Sequence, residues 1–209
     1  IITISEFSKR EIIENLCVNP KNVTVTLLSG SSDKKNIDKN INIQEIYGIT
    51  NNYIIAFGSN GSYKNIDQLV YAFNKIRLTS YKIQLVLVGY QHKASFLSKI
   101  VDDLNLNEHV IFTGFVPSEH VFHLIKKSKL FVFPSFYEGF GIPLLDAQAC
   151  EIPIASSNAG SLPEVGNNGC IYFDPANTQE MISVIKKVLD SSDVSDQLVS
   201  QGLKNRSNF

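Results

Sequence analysis

The sequence lacks several features that would mark particular classes of protein. Its 209 residues carry a formal net charge of −1, so it has no strong basic field of the kind that nucleic-acid binding requires. No apolar run approaches the roughly 20 residues of a membrane span, and the start has no charged region followed by a long apolar stretch. We therefore expect a cytoplasmic protein with no nucleic-acid partner.

Cysteine and methionine are also scarce. Cys17, Cys150 and Cys170 lie far apart, with no CxxC spacing and no nearby histidine cluster, so neither a disulfide framework nor a zinc site is predicted. We expect three buried thiols in a reducing compartment. The only methionine is Met181, and the chain begins within a strand-like apolar run, so we interpret it as an excised fragment.

Short runs of β-branched residues alternate with amphipathic stretches, which is the pattern of repeated βα units around a buried parallel sheet. Apolar residues recur at helical spacing in the intervening stretches, and the polar segment from Ser29 to Asn42 predicts an exposed loop. The pattern predicts one Rossmann-like three-layer α/β/α domain over residues 1–209. Its strands are expected at residues 23–27, 53–57, 83–88, 110–112, 130–133, 154–155 and 171–173, and helices at 66–76, 96–104, 121–125 and 181–189.

In open α/β sheets ligands bind beyond the carboxyl ends of the strands, so the segments that follow each strand are the places to search. After the strand at 53–57 come Gly58, Ser59 and further small residues, which end at Lys64 just before a helix. Small residues let backbone N–H groups approach an anion, and Lys64 adds a full charge. A plain turn with a solvent-exposed lysine is the alternative interpretation.

The segment after the strand at 130–133 carries the strongest signal. Gly139 and Gly141 permit close backbone approach, and the following proline suits the first turn of a helix. The unbonded N–H groups around Phe140, Gly141 and Ile142 are then expected to point at an anion such as a diphosphate.

Two carboxylates flank this predicted helix start. Glu138 directly precedes the turn, and Asp146 lies about one turn into the helix. Because carboxylates accept hydrogen bonds from paired hydroxyls, the two side chains suit recognition of a sugar and a ribose. In the alternative interpretation Asp146 complements the helix dipole and Glu138 is a solvated loop residue.

Two further strand ends give weaker signals. Phe115 and Val116 follow the strand at 110–112, and a nucleotide base can rest on the first or pair with the backbone of the second, although a core phenylalanine beside a helix capped by Ser118 is also consistent. Gly89 follows the strand at 83–88 and is either a ligand-facing glycine or a turn.

From Ser5 to Phe209 the sequence resembles the C-terminal domain of family-4 retaining glycosyltransferases, which have the GT-B fold of two Rossmann-like halves. The order and spacing of several motifs carry this resemblance. They are Ser5-Glu6-Phe7-Ser8-Lys9-Arg10, Gly58-Ser59-Asn60, Tyr63-Lys64-Asn65, Phe112-Thr113-Gly114-Phe115-Val116, the run from Pro134 to Pro143, Ala149-Cys150-Glu151-Ile152-Pro153 and Leu162-Pro163-Glu164-Val165.

The resemblance implies a role for each candidate residue. An acidic pair separated by seven residues marks the family's donor site, so Glu138 is expected to contact the transferred sugar and Asp146 the ribose hydroxyls. Residues 139–142, together with Gly58, Ser59 and Gly89, are expected to surround the donor. Lys64 is expected to neutralise the diphosphate leaving group, and residues 115–116 to lie near the base.

Three residues depart from the family pattern. Asp146 stands where the family has glutamate, and Ser59 where many members have arginine, so Lys64 is expected to carry most of the phosphate neutralisation. Glu151 stands where a glycine usually follows the helix. If that position needs positive φ, the substitution costs on the order of 1 kcal/mol.

By resemblance, the chain is the donor-binding half of a hexosyltransferase that uses GDP-mannose or a UDP-hexose and needs no cofactor or metal. Its acceptor is a glycan or lipid-linked glycan in bacterial surface-polysaccharide or lipopolysaccharide synthesis. That acceptor, and any peripheral membrane contact, belong to an N-terminal domain absent from this chain, without which transfer should be inefficient. A non-catalytic nucleotide-sugar-binding module, or a phosphorylase or epimerase of the same architecture, is the alternative.

Overall fold

A computed structural model describes residues 1–30, 41–58, 61–79, 81–90 and 96–209. Six parallel strands form the main sheet, in the order β5-β4-β3-β6-β7-β8, and β1 and β2 form a separate parallel pair. The strands are β1 (Ile2–Thr3), β2 (Thr24–Val25), β3 (Asn52–Phe57), β4 (Ile83–Val88), β5 (Val110–Phe112), β6 (Leu130–Phe133), β7 (Ile154–Ser157) and β8 (Ile171–Phe173). The strand order reverses between β3 and β6, and the crevice beyond such a reversal is where open α/β sheets bind ligands.

Helices follow most of the strands and cover both faces of the sheet. They are α1 (Glu6–Leu16), α2 (Ile43–Ile46), α3 (Ile66–Arg77), α4 (Phe96–Asp103), α5 (Ser118–Lys126), α6 (Ile142–Ala149), α7 (Leu162–Gly166), α8 (Thr178–Asp190) and α9 (Ser192–Arg206). No helix within the described part of the chain is long and apolar enough to cross a membrane.

The core lies on both faces of the sheet because successive strand side chains point to opposite sides. In β3, Ile54 and Ala56 pack with residues of α3, α4 and α8 on one face. Tyr53 and Ile55 pack with residues of α2, α5 and α6 on the other face. Burial on both faces explains why the strands read as near-continuous apolar runs.

The predicted α/β architecture is confirmed. The predicted bounds of β4, β5, β6 and β8 match the structure, and the other predicted strands differ at their ends. The helices α1, α2, α7 and α9 have no counterpart in the prediction, and Pro117 rather than Ser118 occupies the N-cap of α5. The prediction of three buried thiols is wrong for Cys17, which is exposed at the end of α1. Most of the predicted loop at 29–42, residues 31–40, lies outside the described residues.

Candidate functional site at the carboxyl end of the sheet

Lys64 and Glu138 form an ion pair at the reversal of the strand order. Lys64 ends a short 3₁₀ helix after β3, and Glu138 lies in the loop after β6. The Lys64 Nζ donates to Glu138 Oε1 at 2.7 Å, with 17% and 14% of the two side chains exposed. The ammonium also lies 5.4 Å from the centroid of the Phe133 ring, within the range of a cation–π contact. Partial burial weakens solvent screening, so this charge pair is stronger than one at the open surface.

Buried serines and a glycine hold the Glu138 loop. The Ser135 hydroxyl donates to the same carboxylate oxygen, Oε1, at 2.8 Å. The Ser161 N–H and hydroxyl both donate to the Glu138 carbonyl oxygen, at 3.2 Å and 2.9 Å. Gly160 has φ +61, and a Cβ added there would lie 2.8 Å from that same carbonyl oxygen. The loop after β7 therefore fixes the backbone of Glu138, and only a glycine fits against it.

The start of α6, directly after the Glu138 loop, carries backbone donors that have no acceptor among the described residues. Gly141 occupies the N-cap with φ 104 and without a side-chain cap, and Pro143 lies in the first turn. Within the described ranges, the N–H groups of Phe140, Gly141 and Ile142 have no hydrogen-bond acceptor. Unpaired N–H groups at a helix N-terminus favour an anion. The Phe140 side chain is buried and packs on Phe209, so this residue offers only its backbone.

Asp146 lies on α6, and its side chain is 9% exposed. A Cβ added at Gly30 would lie 3.4 Å from Asp146 Oδ1 and 2.9 Å from Leu145 Cβ. The segment that follows β2 therefore reaches the same helix. Glu138 and Asp146 thus occupy the loop before α6 and the helix itself, and their roles as sugar and ribose contacts stay predictions.

Gly58 and Gly89 have packing reasons that the sequence did not reveal. A Cβ added at Gly58 would overlap the ring of Tyr90, which is buried over it. Gly89 has φ +89, and a Cβ there would lie 2.8 Å from the Gly58 carbonyl oxygen. Gly89 therefore makes the predicted turn, and the donor contacts of both glycines stay predictions. Burial, followed by the charges of Asp67 and Tyr63, raises the pKa of Tyr90 to about 12.

The Phe115 side chain is 87% exposed at the end of β5, whereas the adjacent Val116 is buried. The alternative of a core phenylalanine at position 115 is therefore wrong. The ring is available to stack on a planar ligand. Its placement near a nucleotide base stays a prediction.

Glu164 lies in α7, within the motif Leu162-Pro163-Glu164-Val165, but its carboxylate caps α1. Its carboxylate accepts hydrogen bonds from the N–H groups of Glu6 and Phe7, at 2.8 Å and 3.1 Å, in the first turn of α1. The hydroxyl of Ser5, the N-cap of α1, donates to the Gly139 carbonyl oxygen at 2.7 Å. Helix α1 is thereby fixed against the glycine-containing loop of the site.

Ser59 lies outside the described residues, so its predicted phosphate contact has no structural description. Among the residues that the structure describes, no group of three or more histidine, cysteine or acidic side chains could hold a metal ion. His120 makes a hydrogen bond of 2.8 Å with the Tyr47 hydroxyl.

The family model for glycosyl transferases group 1 matches residues 35–205 of this chain. The chain belongs to the group 1 glycosyltransferase family. One similar protein is the O-antigen chain mannosyltransferase B of Escherichia coli, which is 29% identical over 214 residues that cover 100% of this chain and 56% of that protein. Another, the O-antigen chain mannosyltransferase RfbU of Salmonella typhimurium, is 32% identical over 66% of this chain and 38% of its own length. The chain thus spans about half the length, or less, of these curated relatives.

Solved structures of glycosyltransferases share the fold. WaaG, a glycosyltransferase involved in lipopolysaccharide biosynthesis, superposes with a TM-score of 0.82 at 17% identity, over 100% of this chain and 58% of that one. Anabaena Alr3699/HepE, solved in complex with UDP and glucose, gives a TM-score of 0.81 at 19% identity over 99% and 58% of the two chains. These neighbours have the GT-B fold, and the chain has the architecture of one of its halves.

Proposed function

We propose that this chain binds a nucleoside diphosphate sugar at the carboxyl end of its sheet and serves as the donor half of a retaining hexosyltransferase. The observation that carries the proposal is the Lys64–Glu138 pair, 2.7 Å apart beside the open N–H groups of α6. A cation and helix amides suit a diphosphate, and a carboxylate suits sugar hydroxyls.

Each part of the donor has a candidate partner. The diphosphate lies against Lys64 and the N–H groups of residues 140–142, and Glu138 accepts hydrogen bonds from the sugar. Asp146 accepts hydrogen bonds from the ribose, and the base lies at Phe115 and Val116. Membership of the group 1 family supports this arrangement.

In the proposed reaction an acceptor hydroxyl attacks the anomeric carbon on the face from which the nucleoside diphosphate departs. The new C–O bond forms as the bond to the phosphate oxygen breaks, and the acceptor proton passes to the departing phosphate. Negative charge grows on that phosphate, and Lys64 and the helix amides stabilise it through preorganised charge and dipoles. The configuration at the anomeric carbon is retained.

GDP-mannose is the donor that we favour over a UDP-hexose, because relatives that cover the whole chain include the mannosyltransferase of Escherichia coli. The acceptor is then a glycan or lipid-linked glycan of bacterial surface polysaccharide, bound by a second domain of the whole enzyme. The non-catalytic module remains an outcome of the test below.

Calorimetric titration with GDP, UDP and ADP tests the proposal. We expect one nucleotide to bind, and Lys64→Ala to weaken it about 10- to 100-fold, since a charged hydrogen bond contributes about 1.5–3 kcal/mol. Lys75→Ala, an exposed lysine of α3, is the matched control and should leave the affinity unchanged.

Glu138→Gln separates sugar from phosphate recognition. We expect it to weaken the sugar-bearing donor at least tenfold and to leave the bare diphosphate unchanged or slightly tighter, because Lys64 loses its competing anion. Binding of no nucleotide at millimolar concentration would contradict the proposal. Donor binding without transfer, once a complete enzyme is assayed, would favour the non-catalytic module.

A further inference from the structure

Asn65, directly after Lys64, is buried to 1% exposure. It has φ 56 and ψ 31, in the left-handed region, and it occupies the N-cap of α3 without a side-chain cap bond. The side chain of an asparagine at an N-cap usually accepts a hydrogen bond from an N–H in the first turn of the helix. Here the side chain is directed elsewhere.

The Asn65 side chain joins three strand ends. Its Nδ2 donates to the carbonyl oxygen of Pro134 at 3.1 Å and to that of Pro175 at 2.9 Å. Pro134 directly follows β6 and Pro175 lies just beyond β8, whereas Asn65 follows β3. Both amide hydrogens are therefore used, and no glycine in the left-handed region could supply them.

Lys64 is held from its other side as well. The Phe136 N–H donates to the Tyr63 carbonyl oxygen at 2.7 Å. The residues before and after Lys64 are therefore both bonded to the segment 134–136, which leads into Glu138. These bonds set where the ammonium lies relative to the carboxylate.

We propose that Asn65 is a positioning residue that directs the Lys64 ammonium at the terminal phosphate of the nucleoside diphosphate. This inference rests on the proposed function for its ligand, and on the hydrogen bonds of Asn65 for its geometry. Because Asn65 is buried and its side chain bonds to Pro134 and Pro175, we expect it to contact neither the phosphate nor the sugar. Its effect on binding passes through Lys64.

The test compares Asn65→Gly with the unaltered protein by calorimetry with GDP and GMP, and with UDP and UMP. Glycine keeps the left-handed conformation and removes both hydrogen bonds. We expect diphosphate affinity to fall at least tenfold and monophosphate affinity to change less than twofold. In a Lys64→Ala background, Asn65→Gly should change diphosphate affinity less than twofold. An equal loss for both nucleotides, or a full loss in the Lys64→Ala background, would overturn the inference.

Asn205→Ala is the matched control. Asn205 is also buried, and its Nδ2 also donates two hydrogen bonds, to Gln148 and to the Val165 carbonyl oxygen. It should lower the melting temperature without changing the preference for diphosphate. If Asn65→Gly does not fold, Asn65→Ser stays uncharged and keeps at most one of the two donors, and a smaller loss of diphosphate affinity in the same direction is expected.

A readout without nucleotide separates this inference from the proposed function. The ¹⁵N resonance of the Lys64 ammonium, assigned by its loss in Lys64→Ala, should shift on Glu138→Gln because the pair is broken. Asn65→Gly should shift it in the same direction, whereas Asn205→Ala should not. If no nucleotide binds, the proposed function fails, and this resonance still decides whether Asn65 positions Lys64. An unmoved resonance in Asn65→Gly would refute the positioning role.

Discussion

Replacing Glu151 by glycine should stabilise the protein. Glu151 follows Cys150, the C-cap of α6, with φ 61, and its N–H donates to the Gln148 carbonyl oxygen at 3.2 Å. The next N–H, of Ile152, donates to the Ala147 carbonyl oxygen at 3.3 Å. These two bonds form a Schellman motif, whose left-handed position favours glycine. The family pattern has glycine there, and the positive φ of Glu151 meets the condition under which the substitution is expected to cost stability.

The magnitude follows from two opposing terms. A left-handed residue other than glycine costs about 1–2 kcal/mol in the folded state. Replacement by glycine removes this cost, but the greater conformational freedom of glycine in the unfolded chain offsets about 0.4–1 kcal/mol of the stabilisation. The net stabilisation is therefore about 1 kcal/mol, which raises the melting temperature by about 2–4 °C for a chain of this size.

Urea denaturation and thermal melting of four proteins test this reasoning. Glu151→Ala removes a carboxylate from a helix C-terminus, where it is unfavourable by about 0.3–1 kcal/mol, without relieving the backbone. Glu151→Asn partly relieves it, because asparagine tolerates the left-handed region. We expect the stability order glycine, asparagine, alanine, glutamate. If alanine stabilises as much as glycine, and the gain disappears in high salt, the charge rather than the backbone conformation is responsible.

Two other predictions concern a glycine of the site and the thiols. Gly160→Ala should cost about 2–5 kcal/mol, from left-handed strain and overlap with the neighbouring loop, and should weaken the sugar-bearing donor. Gly48→Ala is its control, since Gly48 also has positive φ but no atom within 4 Å of an added Cβ, and it should cost only about 1–2 kcal/mol by urea titration. Burial raises the pKa of Cys170 to about 12, so its thiol stays protonated at pH 8. A thiol reagent such as DTNB should therefore modify the exposed Cys17 rapidly and the buried Cys150 and Cys170 only after denaturation, and rapid labelling of the protein in Cys17→Ser would contradict this.

Sequence patterns predict the sheet well because its strands are buried on both faces. Runs such as 83–88 and 130–133 are almost wholly apolar, and the structure keeps the predicted bounds. Helix α3 also follows from its sequence, since Ile66, Leu69, Phe73 and Ile76 form one buried stripe.

The sequence pattern does not predict helix α9, because this helix buries little apolar surface. Its buried residues are Leu198, Gly202 and Asn205. A Cβ added at Gly169 would lie 2.6 Å from the Gly202 Cα, so the two backbones meet directly there. Such contact through small and polar residues leaves no periodic apolar pattern, and only the tertiary packing reveals it.

The sequence indicates candidate residues of the site but not the residues that position them. Glycines and charged residues after strands suggest a ligand, and the structure brings two of these predicted residues, Lys64 and Glu138, into contact, while their roles stay predictions. The hydrogen bonds that fix these two loops join residues that are distant in sequence. The Ser161 hydroxyl donates to the Glu138 carbonyl oxygen, and the Asn65 side chain donates to the Pro175 carbonyl oxygen. Nothing in the local sequence specifies these partners, because each depends on which strand ends become neighbours.

The strand order explains where the ion pair lies and why we propose a ligand beside it. β3 and β6 are neighbours, but their following segments lead to opposite faces of the sheet, into α3 on one and α6 on the other. Lys64 and the start of α6 therefore lie on either side of the strand reversal, and Glu138, in the loop before α6, accepts a hydrogen bond from Lys64. An ammonium has three donors, and Glu138 uses one of them in the structure. Under the proposed function, Lys64 keeps its bond to Glu138 while it donates to a phosphate, which would couple sugar recognition to stabilisation of the leaving group through one side chain.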